Sequence, residues 1–98
     1  MMDNRDESTR QWKVLLVTDD EEAIGPIVET SEDLGCEVEV HRQSGRALMA
    51  FYPNPWQYDL VIADADMDDL PGSELAPRLL TMRPTAEIIL AMQKTDAP

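Results

Sequence analysis

Two short runs, VLLV at residues 14–17 and the LVIA that closes YDLVIA at 58–63, carry no polar side chain and set the tightest limit on how this chain folds. A strand that is apolar at every position has both faces covered, and that pattern belongs to parallel sheets with helices on either side. Each run ends in acids, TDDEE after the first and DADMDD after the second, so each strand leads into a polar loop.

The segments between and after these runs have helical or strand periods. Ile24, Ile27, Val28, Ser31 and Leu34 fall on one helical face, and Gly35 stands where a left-handed residue closes a helix. EVEVH at 37–41 alternates as a strand exposed on one side. Ser44 is placed to cap a short helix through Phe51, and YPNPWQ is a proline-punctuated turn. Gly72 to Met82 sets Leu75, Leu79 and Leu80 on one face, Arg83-Pro84 stops that helix, and EIILAM at 87–92 reads as a fourth strand. Pro26 and Pro77 lie inside two of these helices, where a missing N–H and a ring clash predict delayed or kinked starts. Strands alternating with helices over short loops give an α/β fold built on a parallel sheet.

Residues 1–11 show no period and are read as a disordered leader, leaving one domain over 12–98. The chain is short enough that one core is all it can bury. Its formal charge of −12 repels phosphate backbones and anionic lipid, which argues against direct nucleic-acid binding and against a membrane surface. No apolar run approaches the ~20 residues of a membrane span. The single cysteine, Cys36, excludes an internal disulfide, and a cytoplasmic location is the natural expectation. Cys36 and Met67 read as packing, and so do Trp12 and Trp56. His41 reads as a boundary residue, since no second His or Cys accompanies it.

The acids carry the chemistry. Ligand sites in open parallel sheets form beyond the carboxyl ends of the strands. Asp19 and Asp20 follow the first strand and Asp64 ends the third, so neighbouring strands would bring the three carboxylates together. Like charges in one place cost stability unless a cation offsets them, and oxygen-only donors select a hard ion such as Mg2+. A calcium-binding loop fits poorly, because the position that needs Gly is Asp69 and the twelfth is Leu75 instead of Glu. A haloacid-dehalogenase-like phosphatase also opens on Asp-x-Asp after a strand. In that family long downstream segments supply the remaining acids and a lysine, and the residues after Asp69 are too few for them.

VLLVTDDEEAI (14–24), LGCEVEV (34–40), YDLVIADADM with the following G.ELA (58–76), and RP..EIIL (83–90) resemble the receiver domain of two-component response regulators. LAPRLLTMRPTAEIIL is similar to receivers attached to hybrid sensor histidine kinases. The resemblance implies a flavodoxin-like doubly wound parallel sheet in strand order 2-1-3-4. It implies Asp64 as the phosphoacceptor and Asp20 as a direct Mg2+ ligand, with Asp19 acting through water and the backbone carbonyl of Asp66 completing the set. It implies a phosphohistidine on a histidine kinase or phosphotransfer protein as donor, and a signalling module instead of a true enzyme.

Three features depart from that family. Met92 stands at the switch position, where the family has Thr or Ser, and a thioether cannot donate the hydroxyl's hydrogen bond. Asp68 replaces the Pro of the third loop. The family's fifth strand, last two helices and conserved lysine have no counterpart, since Lys94 comes too early. A sheet ending at the fourth strand would expose Ile88, Ile89 and Leu90 on an edge, which invites a homodimer. The competing expectation is a degenerate pseudo-receiver that acts as an interaction module without phosphorylation.

Overall fold

A computed structural model describes residues 11–92. Strands β1 (Lys13–Val17), β2 (Glu37–His41), β3 (Leu60–Asp64) and β4 (Ile88–Ala91) alternate with helices α1 (Glu21–Asp33), α2 (Ser44–Phe51) and α3 (Gly72–Met82), with a 3-10 turn at Pro55–Gln57. The strands pair in parallel in the order β2-β1-β3-β4, the doubly wound topology expected of the sequence. Residues 1–10 of the expected leader, and Lys94, lie outside the described residues.

Strand alternation sorts the central side chains onto two faces. Leu15, Val17, Val61 and Ala63 point into a core completed by Ala47 and Phe51 of α2, Leu75 and Leu79 of α3, Tyr58 and Met67. The Phe51 and Tyr58 rings stack in that core at 5.8 Å between centroids. Val14 and Leu16 face the other way and are equally buried. Helix α1 lies on that second side, and not one of its residues is fully buried.

Local signals end the helices where the sequence places the breaks. Gly35 has φ 86°, and its N–H donates to the Glu32 carbonyl while the Cys36 N–H reaches Ser31, a hydrogen-bonded left-handed close to α1. Arg83 ends α3, and its guanidinium donates to the Pro55 and Tyr58 carbonyls and stacks on Trp56.

Several expectations need correcting. The helices are not delayed: they begin at Glu21 and Gly72 and continue past Pro26 and Pro77. The carbonyl that each proline deprives of a partner belongs to a solvent-exposed residue, Glu22 or Ser73. Leu34 falls at the end of α1 and is exposed. Ser44 is the first residue of α2 instead of its cap, and its hydroxyl donates to the Leu70 carbonyl at 2.7 Å. Ile88 packs against the core, so the exposed part of β4 is Ile89, Leu90 and Ala91.

Candidate functional site

The site lies at the carboxyl ends of β1 and β3, the two central strands. Their register pairs Leu16 with Ile62 and Val17 with Ala63. One step further, Thr18 stands beside Asp64, both on the side of the sheet that carries α1. The Thr18 N–H donates to the His41 carbonyl at 3.1 Å, so the end of β1 is held from β2.

Asp64 is 6% exposed, and both of its carboxylate oxygens have donors. Oδ1 accepts from the Asp66 N–H at 2.9 Å and Oδ2 from the Thr18 hydroxyl at 3.0 Å. That hydroxyl accepts in turn from the Asp20 N–H at 3.1 Å. Asp20 caps α1, its Oδ1 accepting from the Glu22 N–H at 3.1 Å. Asp20, Thr18, Asp64 and Met92 line one cleft of about 450 Å3, walled by Ile27 and Ile62.

The backbone of Asp64 is held as closely as its side chain. α3 begins at Gly72 hard against the end of β3, and a Cβ there would stand 2.6 Å from the Asp64 carbonyl oxygen. Only glycine lets the two backbones approach this closely. The Gly72 N–H also donates to the Ala65 carbonyl at 3.2 Å.

No family model matches the sequence, and no curated protein sequence matches it. Solved structures do match its fold. A response regulator receiver domain protein from Clostridium thermocellum is similar with a TM-score of 0.78 and 26% identity, covering 83% of this chain and 64% of that one. The non-phosphorylated HemR receiver domain from Leptospira biflexa gives 0.77 at 25% identity, covering 89% of this chain and 68% of that one. A CheY-like receiver domain from Methanospirillum hungatei gives 0.79 at 23% identity, with coverages of 89% and 68%. The fold is that of the response regulator receiver domain. This chain spans about two thirds of the length of the receivers it matches.

Within the receiver fold the four acids singled out in the sequence divide into two pairs. Asp20 and Asp64 share the cleft, while Asp19 and Asp66 are exposed beside it. Among the described residues no three His, Cys, Asp or Glu side chains are grouped to hold a metal ion. Met92 stands at the cleft wall, largely exposed, and Met67 is buried beneath the loop after β3.

Two polar residues of this fold were missed in the sequence. Thr18 is there only the first letter of the polar loop TDDEE, although strand alternation carried one residue further puts it on the face of Leu16. Asp69 reads as one more charge in a crowd. Its Oδ1 accepts from the Ser44 N–H at 3.1 Å and its Oδ2 from the Gly45 N–H at 2.9 Å, so it caps α2 from the neighbouring loop. The Gly45 N–H, then that of Ser44, holds the Asp69 carboxyl below the usual aspartate value.

A second polar cluster fastens β2 to the Tyr58 region. Glu39 accepts from the Tyr58 hydroxyl at 2.9 Å, lies 2.7 Å from His41 Nε2 and 3.5 Å from Lys13 Nζ. Burial, then the Glu39 carboxylate, pushes the Tyr58 hydroxyl well above its ordinary range. His41 is therefore a paired boundary residue, as its isolation in the sequence implies.

Proposed function

We propose that this receiver is a phosphoacceptor in a two-component phosphorelay, with Asp64 as the accepting residue. A carboxylate oxygen of Asp64 attacks phosphorus, the P–N bond of a phosphohistidine on a histidine kinase or phosphotransfer protein breaks, and its electron pair returns to the imidazole. An acyl phosphate on Asp64 results. The observation that carries this reading is that Asp64, nearly buried and gripped at both oxygens, opens into a cleft it shares with Asp20. Positioning and charge stabilisation are what phosphoryl transfer asks of a protein.

Two carboxylates in one cleft suit Mg2+, which is commonly bound by one or two carboxylates and keeps its remaining waters. Asp20 and Asp64 would hold it, with the Asp66 carbonyl and an Asp19-bound water as further oxygens. When bound, the ion neutralises the oxygens of the incoming phosphoryl group. The chain's own residues orient the nucleophile, through Thr18 and the Asp66 N–H, and fix the loop that carries it, through Gly72. The module would work in the cytoplasm.

Incubation with Mg2+ and acetyl phosphate, followed by intact mass measurement, tests the proposal. The wild type should gain one phosphoryl group and Asp64→Asn none. Equal masses before and after would end this reading. Millimolar Mg2+ should also raise the melting temperature, because a ligand of the folded state adds apparent stability.

A second reading is a pseudo-receiver that binds partners without phosphorylation, including a second copy through β4. It is favoured by the lack of a third clustered carboxylate among the described residues and by the exposed Ile89 and Leu90. Sedimentation of the unphosphorylated protein distinguishes them: a stable dimer with no phosphoryl uptake fits only the second.

A further inference from the structure

We propose that Thr18 is a positioning residue for the nucleophile, coupling the orientation of the Asp64 carboxylate to the loop that carries Asp20. This inference rests on Asp64 being the phosphoacceptor and assigns a role to a residue outside the acid set. Thr18 is 4% exposed, and its hydroxyl is a buried polar group in the floor of the cleft. A hydroxyl has one proton to donate, and here it goes to Asp64 Oδ2 at 3.0 Å. Its oxygen accepts the Asp20 N–H at 3.1 Å, so one side chain touches both halves of the rim.

The consequence for Asp64 is geometric. A carboxylate turns freely about its last torsion unless both oxygens are held, and that terminal torsion is broad. The Asp66 N–H holds Oδ1, and the Thr18 hydroxyl holds Oδ2. Each oxygen keeps lone-pair capacity for a cation or for phosphorus, and the plane in which those lone pairs lie is set. Loss of the Thr18 hydroxyl leaves Oδ2 without its protein donor and frees the plane to rotate about the Asp66 contact. It also removes the acceptor of the Asp20 N–H. The anchor is itself rigid, because the Thr18 backbone is bound to the His41 carbonyl at the end of β2.

Thr18→Val and Thr18→Ser test the role. Valine keeps the β-branched shape that suits a strand end and deletes the hydroxyl, whereas serine keeps the hydroxyl and deletes a methyl. With acetyl phosphate and Mg2+, Thr18→Val should lower the maximal rate of phosphoryl uptake by about tenfold or more, the usual effect of removing a hydrogen-bonded support of a reacting group. Thr18→Ser should restore most of the rate. The half-saturating donor concentration should stay near the wild-type value, and a circular dichroism spectrum matching the wild type excludes a smaller folded fraction as the cause. A thermal double-mutant cycle of Thr18→Val with Asp64→Asn should show non-additive melting shifts, registering the contact independently of phosphorylation.

Wild-type uptake with an unimpaired Thr18→Val overturns the positioning role and leaves the phosphoacceptor reading standing. Equal impairment of the valine and serine variants, or additive melting shifts, also overturns it. Absence of uptake by the wild type removes the phosphoacceptor reading and this inference with it.

Discussion

The two faces of the sheet are built to different standards. On one, α2 and α3 close over Leu15, Val17, Val61 and Ala63, and Phe51, Leu75 and Leu79 are sealed from solvent. On the other, among the described residues, α1 is the one helix over Val14 and Leu16 and buries no residue of its own, and Ile89 at the β4 edge is half exposed. Asp64 ends β3 with its side chain on the open face, while its backbone is braced from the closed face by α3 at Gly72. The division suits the role proposed for Asp64: a reacting group needs an immobile backbone behind it and access in front.

If that contrast is real, truncating side chains should register it. Phe51→Ala removes a ring stacked on Tyr58 in the sealed core and should cost about 3–5 kcal/mol. Ile27→Ala, on the half-buried face of α1, should cost about 1 kcal/mol, since its site is already partly open to water. Urea unfolding with a shared slope measures both. Similar losses at the two positions would mean that the faces are equally packed.

Two glycines sharpen the comparison with opposite signs. Gly25 in α1 has nothing within 4 Å of the place a Cβ would occupy apart from its chain neighbours and its own helix backbone, and its φ is negative. Gly25→Ala gains about 0.5–1 kcal/mol from helix propensity and a less free unfolded chain, and loses part of it to the Pro26 ring, which crowds the Cβ of a helical residue before proline, so a small net stabilisation is expected. At Gly72 the same gain is outweighed, because the methyl would meet the Asp64 carbonyl at 2.6 Å and one backbone must move. A net loss of about 1–3 kcal/mol is the ordinary result of overpacking. If Asp64 is the acceptor, as proposed, phosphoryl uptake should fall with it, since Asp64 is the residue displaced.

The loop after β3 is also tied to the closed face through Asp69, and that tie depends on pH. Its carboxyl titrates below the ordinary 3.8 because the Gly45 and Ser44 N–H groups favour the charged form. A depressed folded value contributes stability above the unfolded pKa and loses it as the pH falls through the folded one. Asp69→Ala should cost about 1 kcal/mol at neutral pH, the usual worth of a helix cap. The gap between variant and wild type should narrow below pH 3.8, where Asp69 is protonated in the unfolded chain and then in the folded one. A gap that stays constant into acid would show that the side chain contributes by something other than its charge.

What could be read in the sequence, and what could not, follows the same physics. The apolar runs at 14–17 and 60–63 disclose β1 and β3 because burial on both faces leaves no room for a polar residue. Asp20 and Asp64 were legible as partners because strand ends in a parallel sheet share one rim, and both line the cleft. Asp19 and Asp66 were not separable from them by residue type alone, yet they are exposed beside it. Thr18 and Asp69 stayed hidden because their partners lie 46 and 25 positions away, beyond the reach of any local pattern. The helix starts were misjudged because a proline's cost depends on whether the carbonyl it strands can reach water, which only the folded surface decides.

The smallest effect belongs to the most conspicuous ion pair. Glu21 at the start of α1 and Arg42 after β2 meet through two guanidinium nitrogens, bridging α1 to the strand at the far edge of the sheet. Arg42 pulls the Glu21 carboxyl below its ordinary value through hydrogen bonding, and Glu21 raises the guanidinium in return. Both side chains stand in water, where side-chain entropy and salt screening erase most of the Coulomb gain. Glu21→Gln should leave the melting temperature unchanged at physiological salt, with any difference at low salt vanishing on titration of sodium chloride. A salt-resistant loss would instead make this pair a structural clamp on α1, and the open face would then be held more firmly than its burial implies.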